Sequence, residues 1–280
     1  MNPVPTKIAF QGLNGAYSEM ALHQYFGKNT PSMGCDAFDD VFDAVNREEV
    51  THGFIPVENT IAGTVVENYD LLFAHEVFVM AEAYLPIRHT LLGKRGARLA
   101  DIKEAFSHPH ALKQCRTYLA SKQIRMTPAY DTAGSAHIVA TGDRTDCAAI
   151  ASELCAEIYD MEILARDIQS NTSNTTRFFV IAKKENIPED LITEKTTVAF
   201  KTRHYPGALV DCLKIFQKYR LNLTKLESRP IPENPWEYVF YADAEGGMSQ
   251  PEVKSAIGEL TLHAVFVKLL GSYPKATRCW

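Results

Sequence analysis

The chain has 280 residues, of which 46% are apolar and 22% are charged, and its formal net charge is −5 at pH 7. This composition is typical of a globular protein, and the length is sufficient for two or three domains. The net charge is negative and the sequence contains no stripe of basic residues, which argues against nucleic acid as a partner. No stretch approaches the roughly 18 uninterrupted apolar residues of a membrane span.

The N-terminal segment and the cysteines indicate a cytoplasmic protein. Residues 1–10 run directly into a strand-like stretch and lack the features of a secretory signal. The six cysteines are scattered, without the spacing of a metal site or of a disulfide framework. We therefore expect buried or idle thiols. A nucleophilic Cys115 beside His108 and His110 is the weaker alternative, because no acid accompanies them to orient a base.

Strand-like and helix-like patterns alternate through the first two-thirds of the chain, which predicts an α/β sheet with crossover helices. The predicted strands are 7–10, 53–57, 77–86, 104–107, 147–150 and 177–182. The predicted helices are 18–25, 38–45, 65–73, 132–140, 152–159 and one that begins at residue 109. We expect two lobes, 1–80 with 161–184 and 81–160, and a ligand cleft between them.

A second unit is predicted after a polar run that contains Pro188. We place a first domain at 1–184, a linker at 185–195 and a further domain at 196–280. The order in the further domain is strand, helix, strand, strand, helix, strand, which is typical of the ferredoxin-like arrangement. The predicted elements are 196–201, 207–219, 223–227, 238–242, 251–262 and 265–270.

Polar loops at the ends of the predicted strands offer donors for an anionic ligand. The glycine loop 12–15 precedes a helix that opens at Ser18, and backbone donors at a helix start attract carboxylates. The loop after the strand 53–57 carries Asn59, Thr60 and Thr64. Ordinary turn and capping chemistry explains either loop when it is taken alone.

Two further loops precede predicted helices. Ser107 and His108 precede a helix that Pro109 would open, and Asp131 precedes a helix that begins at Thr132. Helix capping is the alternative role of these residues. Two histidines without a third ligand do not predict a metal site.

The run 171–178, NTSNTTRF, is the most polar stretch that leads into an apolar strand. An arginine there could form a two-pronged contact with a carboxylate. Taken alone, the run fits a capped turn with a surface arginine as well as it fits a binding site.

Taken together, these loops resemble the prephenate dehydratase family over nearly the whole chain. The motifs stand in order as GLNGAYSEMA at 12–21, PVENTIAGTV at 56–65, SHPHALKQC at 107–115 and NTTRF at 174–178. The C-terminal region resembles the ACT regulatory domain, with the signatures GALV at 207–210 and ESRP at 227–230.

The resemblance implies a catalytic part with a two-lobed fold of the periplasmic-binding-protein type II kind and its site in the cleft. It implies loss of carbon dioxide and water from prephenate to leave phenylpyruvate, with no metal or organic cofactor. It also implies feedback by L-phenylalanine at the ACT domain and a homodimer or homotetramer.

Some residues depart from the family pattern. Ala16 stands where the glycine loop usually has threonine, and 169–171 replaces an acid-rich stretch. The run 67–72 is similar to that of arogenate dehydratases, which use the amino-acid form of the same substrate. Prephenate and arogenate therefore both stay open as substrates. A solute-binding protein and a pure amino-acid sensor are the alternatives from other classes.

The resemblance implies roles for individual residues. Thr176 is expected to donate a hydrogen bond to the departing hydroxyl, and Arg177 to hold the side-chain carboxylate or to steady the loop. The remaining expected substrate-binding residues are Phe178, Asn59, Thr60, Gly63, Thr64, Ser18, Ser107, His108, Thr132 and Asn174. The expected phenylalanine-binding residues are Gly207, Ala208, Leu209, Val210, Asn222, Glu227, Ser228, Arg229 and Pro230.

Overall fold

A computed structural model describes residues 6–231 and 234–276 of the chain. Its strands are β1 Ile8–Gln11, β2 Ser32–Cys35, β3 His52–Asn59, β4 Gly63–Thr64, β5 Phe78–Pro86, β6 Thr90–Lys94, β7 Glu104–Ser107, β8 Arg125–Pro128, β9 Cys147–Ala151, β10 Met161–Ala165, β11 Thr175–Ala182, β12 Lys195–Lys201, β13 Leu223–Ile231, β14 Asn234–Glu245 and β15 Phe266–Tyr273. Its helices are α1 Tyr17–Phe26, α2 Phe38–Asn46, α3 Val66–Ala74, α4 Pro109–Ser121, α5 Thr132–Thr141, α6 Leu154–Ile158, α7 Ala208–Lys218 and α8 Pro251–His263. Short 3-10 turns lie at Leu99–Asp101 and Lys184–Asn186.

Two sheets organise the first two-thirds of the chain, so the expectation of a mixed α/β fold with two lobes is confirmed. The first lobe holds the strands in the order β2-β1-β3-β11-β5, and the second holds β10-β6-β9-β7-β8. In the first lobe β1 pairs in parallel with β2 and β3, whereas β11 is antiparallel to both of its neighbours. The chain enters the second lobe between β5 and β6 and returns before β11.

The expected lobe boundaries at 80 and 160 are displaced by strand pairing. Strand β10, at 161–165, was expected in the first lobe, but it pairs with β6 of the second lobe. Strand β5, at 78–86, was expected mostly in the second lobe, but it pairs with β11 of the first lobe. The partner of a strand is a long-range choice that its own residues do not reveal.

The C-terminal unit forms the expected ferredoxin-like arrangement, with the strand order β13-β14-β12-β15 and helices α7 and α8 on one face. The expected linker is one residue too long, because Lys195 already belongs to β12 and is 4% exposed. Within residues 6–231 and 234–276, no helix is both long enough and apolar enough to cross a bilayer.

The C-terminal sheet continues the sheet of the first lobe. Gly271 in β15 lies opposite Val79 in β5, and this single parallel bridge joins the two sheets side by side. Behind the junction, Tyr241 and Tyr273 of the C-terminal unit share one apolar core with Tyr69 and Phe179 of the first lobe. The C-terminal unit is thus packed directly against the first lobe.

The close approach at Gly271 predicts that an added methyl group will loosen this junction. A Cβ at residue 271 would lie 2.2 Å from the carbonyl oxygen of Val79, so the strands must separate. We expect Gly271→Ala to lower the free energy of unfolding by about 1–3 kcal/mol, measured by urea titration. The control is Gly258→Ala in α8, where a Cβ meets open space. Because alanine favours a helix more than glycine does, this change should raise the free energy of unfolding by about 0.5–1 kcal/mol. Equal midpoints in the two variants would contradict the tight junction.

Candidate active site

The N-terminal end of β11 and the C-terminal end of β3 lie side by side, with Thr176 opposite Asn59. The Asn59 amide nitrogen lies 2.9 Å from Thr176 Oγ1 and 2.7 Å from Asn174 Oδ1. The amide oxygen of Asn59 accepts the backbone N–H groups of Ile61 and Ala62, both at 2.9 Å. Because a backbone N–H only donates, these two contacts define which end of the amide is oxygen. Asn59 therefore donates to Thr176.

This arrangement leaves the hydroxyl proton of Thr176 available. The oxygen already accepts from Asn59, and among the described residues no acceptor is found for the proton. The residue is 9% exposed, at the edge of the core. A hydroxyl that accepts one hydrogen bond is polarised into a better donor. The geometry thus suits Thr176 to donate to a bound oxygen.

Thr60 ties the polar loop before β11 to the end of β3. Its hydroxyl donates to the carbonyl of Ser173 at 3.0 Å and accepts the N–H of Thr175 at 3.0 Å. The backbone N–H of Thr60 also donates to the carbonyl of Thr175. The side chain of Thr60 is therefore fully used in shaping the loop.

A chain of hydrogen bonds extends from Asn59 into the second lobe. The oxygen of Asn174 accepts from Asn59, so its amide nitrogen donates to Gln114 Oε1 at 2.8 Å. That oxygen also lies 2.8 Å from Nε2 of His89, which must therefore carry a proton. The other ring nitrogen of His89 lies 2.8 Å from the Tyr17 hydroxyl, which also lies 3.0 Å from the carbonyl oxygen of Arg88 and has one proton for these two acceptors. Burial lowers the pKa of His89, in agreement with a neutral ring.

The positions of these groups place the cluster where the two lobes meet. Gln114 is on α4 of the second lobe, whereas Asn174 and Asn59 flank the first sheet. His89 lies in the crossover between β5 and β6. The structure thus brings together Thr176, Asn59, Asn174 and Thr60 of the residues that the motifs singled out.

Three helices begin close to this meeting point. His108 caps α4 by accepting the N–H of His110, and Asp131 caps α5 by accepting the N–H of Gly134 at 2.5 Å. The expected capping roles of His108 and Asp131 are confirmed. Thr132 is the first residue of α5. Ser18 lies in the first turn of α1 and is 9% exposed.

Two residues expected to bind substrate are buried in the cores instead. The hydroxyl of Ser107 donates to the carbonyl of Ile150 at 2.6 Å, which joins β7 to β9 inside the second sheet. The ring of Phe178 is 1% exposed and stacks on Phe54 with 5.0 Å between centroids. Neither side chain reaches the surface, so substrate contact by Ser107 and Phe178 stays a prediction that these side-chain positions do not support.

Arg177 lies on the opposite face of β11 from Thr176, because successive residues of a strand alternate between faces. Its Nε donates to Glu82 at 2.8 Å, its Nη1 to Asp243 at 2.5 Å and its Nη2 to the hydroxyl of Tyr273 at 3.0 Å. With these partners, the guanidinium is not available for a substrate carboxylate in the cleft. These contacts fit the expected role of Arg177 as support for the loop, and substrate binding by Arg177 stays a prediction.

The side chain of Thr64 faces away from the cluster around Thr176, whereas Gly63 pairs with Asn59 of that cluster across β3 and β4. The hydroxyl of Thr64 donates to Glu227 at 2.7 Å and accepts from the ammonium of Lys225 at 2.6 Å, so Thr64 faces the C-terminal unit. Substrate contact by Thr64 stays a prediction that these contacts do not support. Gly63 is exposed and has a φ of +87°, which allows the turn after β3.

The expected phenylalanine-binding residues are divided between the two faces of the C-terminal sheet. Gly207 has a φ of +94° and precedes α7, so Gly207, Ala208, Leu209 and Val210 lie on the helix side. Ser228 pairs with Phe240, whose ring packs into the core on that same side, and Pro230 lies two residues further along the strand. Asn222 bonds Glu245.

The other two residues of the ESRP signature face the first lobe. Glu227 accepts from Thr64, and Nε of Arg229 lies 2.9 Å from Asp70 of α3. Within this chain, the strand pleat therefore separates Glu227 and Arg229 from Gly207. Within one chain, a ligand at Gly207 would not meet these two side chains, so their role as phenylalanine ligands stays a prediction that requires the site to span two chains.

Sequence reasoning missed Tyr17, Gln114 and His89 as members of the cluster. Tyr17 stands inside GLNGAYSEMA and Gln114 inside SHPHALKQC, so the motifs contained a signal for both. His89 stands outside all of the motifs, and only the fold places it between Gln114 and Tyr17.

Two thiols near the meeting point of the lobes are unsuited to nucleophilic chemistry. Burial raises the pKa of Cys115 to about 12 and that of Cys155 to about 11, so both stay protonated at neutral pH. This contradicts the alternative of a nucleophilic Cys115. Cys279 lies outside the described residues. Across the described part of the chain, no group of three His, Cys, Asp or Glu side chains is placed to hold a metal ion.

The two sheets, the polar cluster where they meet and the ferredoxin-like unit behind it define a two-lobed α/β enzyme with an attached small domain. The profile of the prephenate dehydratase family matches residues 8–186. The chain belongs to this family.

Relatives and solved structures agree with this assignment. The chain is 37% identical to arogenate dehydratase/prephenate dehydratase 2, chloroplastic, of Arabidopsis thaliana, over 97% of this chain and 73% of the relative. It is 36% identical to the bifunctional chorismate mutase/prephenate dehydratase of Aquifex aeolicus, over 96% of this chain and 74% of the relative.

Among solved structures, the prephenate dehydratase of Arthrobacter aurescens in complex with L-Phe is 29% identical, with a TM-score of 0.88. The match covers 96% of this chain and 90% of the Arthrobacter aurescens chain. GqqA, described as a novel type of quorum quenching acylase, is 31% identical with a TM-score of 0.89, over 96% of this chain and 98% of that chain.

The buried, neutral His89 predicts a loss of stability in acid. Because burial lowers its pKa in the folded chain, the unfolded chain binds more protons below the ordinary pKa of about 6.5. The free energy of unfolding should therefore fall as the pH drops from 7.5 to 5.5. We expect the free energy of unfolding, measured by urea titration, to fall less in His89→Gln than in the native chain over this interval. His52 and His108 also have lowered pKa values, but they remain in both proteins and cancel. Equal losses would contradict a buried, neutral His89.

Proposed function

We propose that the chain catalyses the decarboxylating dehydration of prephenate to phenylpyruvate, with Thr176 acting on the leaving hydroxyl. The observation that carries this proposal is the contact in which Asn59 donates to Thr176 Oγ1, while no residue within 6–231 and 234–276 accepts the hydroxyl proton. Membership of the prephenate dehydratase family supports the same reaction.

The chemistry follows from the substrate. As the bond from the ring to its carboxylate breaks, the electron pair moves into the ring, carbon dioxide departs and the ring hydroxyl leaves from the opposite carbon. Hydroxide is a poor leaving group, so a donor at that oxygen lowers the barrier. A threonine hydroxyl is a very weak acid, and Thr176 therefore acts by hydrogen bonding to the developing charge. The departing oxygen takes a proton and leaves as water.

The carboxylates of the substrate require a milder form of stabilisation. The starts of α1 and α5 share one apolar cluster through Ala16 and Ala133, and backbone N–H groups at a helix start stabilise a carboxylate. A strong cation on the ring carboxylate would stabilise the ground state, which loses that charge during reaction. The placement of Arg177 on the far face of β11 suits this requirement.

Removal of the Thr176 hydroxyl is the direct test of this proposal. We expect Thr176→Ala to lower kcat by about 100- to 1,000-fold while KM changes little, because the lost contact forms in the transition state. Thr176→Ser keeps the hydroxyl and should retain most of the activity. Phenylpyruvate formation is measured by its absorbance in alkali. Near-native turnover by Thr176→Ala would remove the role assigned to this residue.

The choice between prephenate and arogenate is the open part of the proposal. The named relatives include dehydratases of both substrates, and the two molecules differ only in a keto or an amino group on the side chain. We favour prephenate as the substrate. Side-by-side kcat/KM values should favour prephenate, and a higher value for arogenate would reverse the assignment without changing the reaction type.

We also propose feedback by L-phenylalanine at the C-terminal unit, in a homodimer or homotetramer in the cytoplasm. Support comes from the ferredoxin-like unit and from the L-Phe complex of the Arthrobacter aurescens enzyme. We expect L-phenylalanine to lower the rate. Gly207→Val, at a residue with a φ of +94°, should weaken that response because a branched side chain disfavours this backbone. Rate measurements with added L-phenylalanine, together with light scattering for the assembly, decide both points.

The likeness to GqqA is not accompanied by an available nucleophile at Cys115, Cys155 or Ser107. An acylase needs an activated nucleophile or a metal-bound water. The Cys115 and Cys155 thiols have raised pKa values, and the Ser107 hydroxyl is committed to Ile150 in the second sheet.

A further inference from the structure

A buried group of charges crosses from the first lobe into the C-terminal unit. Arg177 of β11 and Glu82 of β5 belong to the first lobe, whereas Lys195 of β12 and Asp243 of β14 belong to the C-terminal sheet. Their side chains are 6%, 1%, 5% and 0% exposed, respectively. Two cations face two carboxylates within this buried group, which is neutral when all four residues are ionised, and the more exposed Glu58 lies 3.8 Å from Nη1 of Arg177.

Asp243 is held in one orientation by contacts from both sides. One of its oxygens lies 2.5 Å from Nη1 of Arg177, and the other accepts from the Thr197 hydroxyl at 2.7 Å. Thr197 also contacts the hydroxyl of Tyr273 at 2.7 Å, and that hydroxyl accepts from Arg177 at 3.0 Å. The C-terminal unit thus binds the guanidinium through Asp243 and Tyr273, and Thr197 links these two residues by hydrogen bonds.

The gripped arginine is the direct neighbour of Thr176 along β11. Alternation sends the two side chains to opposite faces, so a force on Arg177 acts on Thr176 through one peptide unit. The pairing of β11 with β3 is irregular between Arg177 and Phe178, where the register shifts by one residue. At this shift the ladder to β3 is disrupted, whereas the pairing of Arg177 and Phe178 with β5 stays regular. The contacts of Arg177 supply a restraint where the ladder is irregular.

Stability alone does not explain a charged link of this kind. Burying ions costs several kcal/mol each, and well-packed apolar replacements of a whole buried pair are often neutral or stabilising. The charged link instead specifies one position of β11 relative to the C-terminal sheet. A shift of about 1 Å at a reacting group can cost about 100-fold in rate.

We propose that Asp243 is a positioning residue for the dehydration, setting the place of the Thr176 hydroxyl through Arg177. The C-terminal unit therefore completes the active-site strand, in addition to any response to an effector. This inference rests on the function proposed for Thr176. It adds a carboxylate more than sixty positions away along the chain, in a different unit, to the residues on which turnover depends.

The experiment compares three variants of the full chain. Asp243→Asn keeps the size of the side chain and removes the charge that holds Arg177. Glu259→Gln is the matched control, because Glu259 also accepts from a cation, Lys218, and a phenol, Tyr219, but lies on α8 away from β11. Arg177→Met combined with Asp243→Leu replaces the pair by apolar side chains and leaves Glu82 paired with Lys195.

We expect Asp243→Asn to lower kcat by about 10- to 100-fold with KM within about twofold of native, and Glu259→Gln to keep both values. The apolar double variant should unfold at a urea concentration close to native and still be slow. All rates are divided by the concentration of folded protein, which is measured by circular dichroism. If Asp243→Asn fails to fold, the kcat of the double variant decides the test. Native kcat in a folded Asp243→Asn or in the double variant would overturn the proposal.

A spectroscopic measurement separates this proposal from the proposed reaction. The methyl resonance of Thr176, assigned by its loss in Thr176→Ala, should shift in Asp243→Asn and stay in place in Glu259→Gln. This readout needs no turnover, so an inactive native chain would count against the reaction alone. An unmoved Thr176 resonance in Asp243→Asn would count against the positioning role of Asp243.

Discussion

The alternation of side chains along β11 is the constraint on which the rest of the site depends. Thr176 faces the meeting point of the lobes, whereas Arg177 faces the C-terminal unit and its buried carboxylates. One strand thereby carries a reactive hydroxyl on one side and a structural charge on the other. The guanidinium of Arg177 pairs with Glu82 and Asp243. Without these partners, a buried guanidinium would cost several kcal/mol of stability.

The orientation of the polar cluster follows from two backbone donors. The N–H groups of Ile61 and Ala62 determine the amide of Asn59, and this orientation passes through Asn174 and Gln114 to the ring of His89. Each amide in the series has only one arrangement that matches donors with acceptors. Such a fully matched network is rigid, and it holds the hydroxyl of Thr176 without using its proton.

Strongly patterned elements could be predicted and edge strands could not. The apolar runs of β3, β5, β9 and β11 are buried on both faces, so their sequences stand out. The missed strands β2, β8 and β10 lie at sheet edges and are partly exposed, which removes the apolar signal. The missed strand β6 is short and ends in Gly93 and Lys94, which weakens a strand pattern.

Residue order alone was enough for the family, for the reaction class and for the cluster of Asn59, Thr60, Asn174 and Thr176, because these lie in motifs with characteristic spacing. It was also enough for the ferredoxin-like order of the last third. Only the tertiary structure shows the partners of Arg177, Thr64 and Arg229, because these contacts join units that are far apart in the chain. Spacing within a motif cannot show which face of a strand will meet another domain, and that face decides whether an arginine such as Arg177 contacts the cleft or the C-terminal unit.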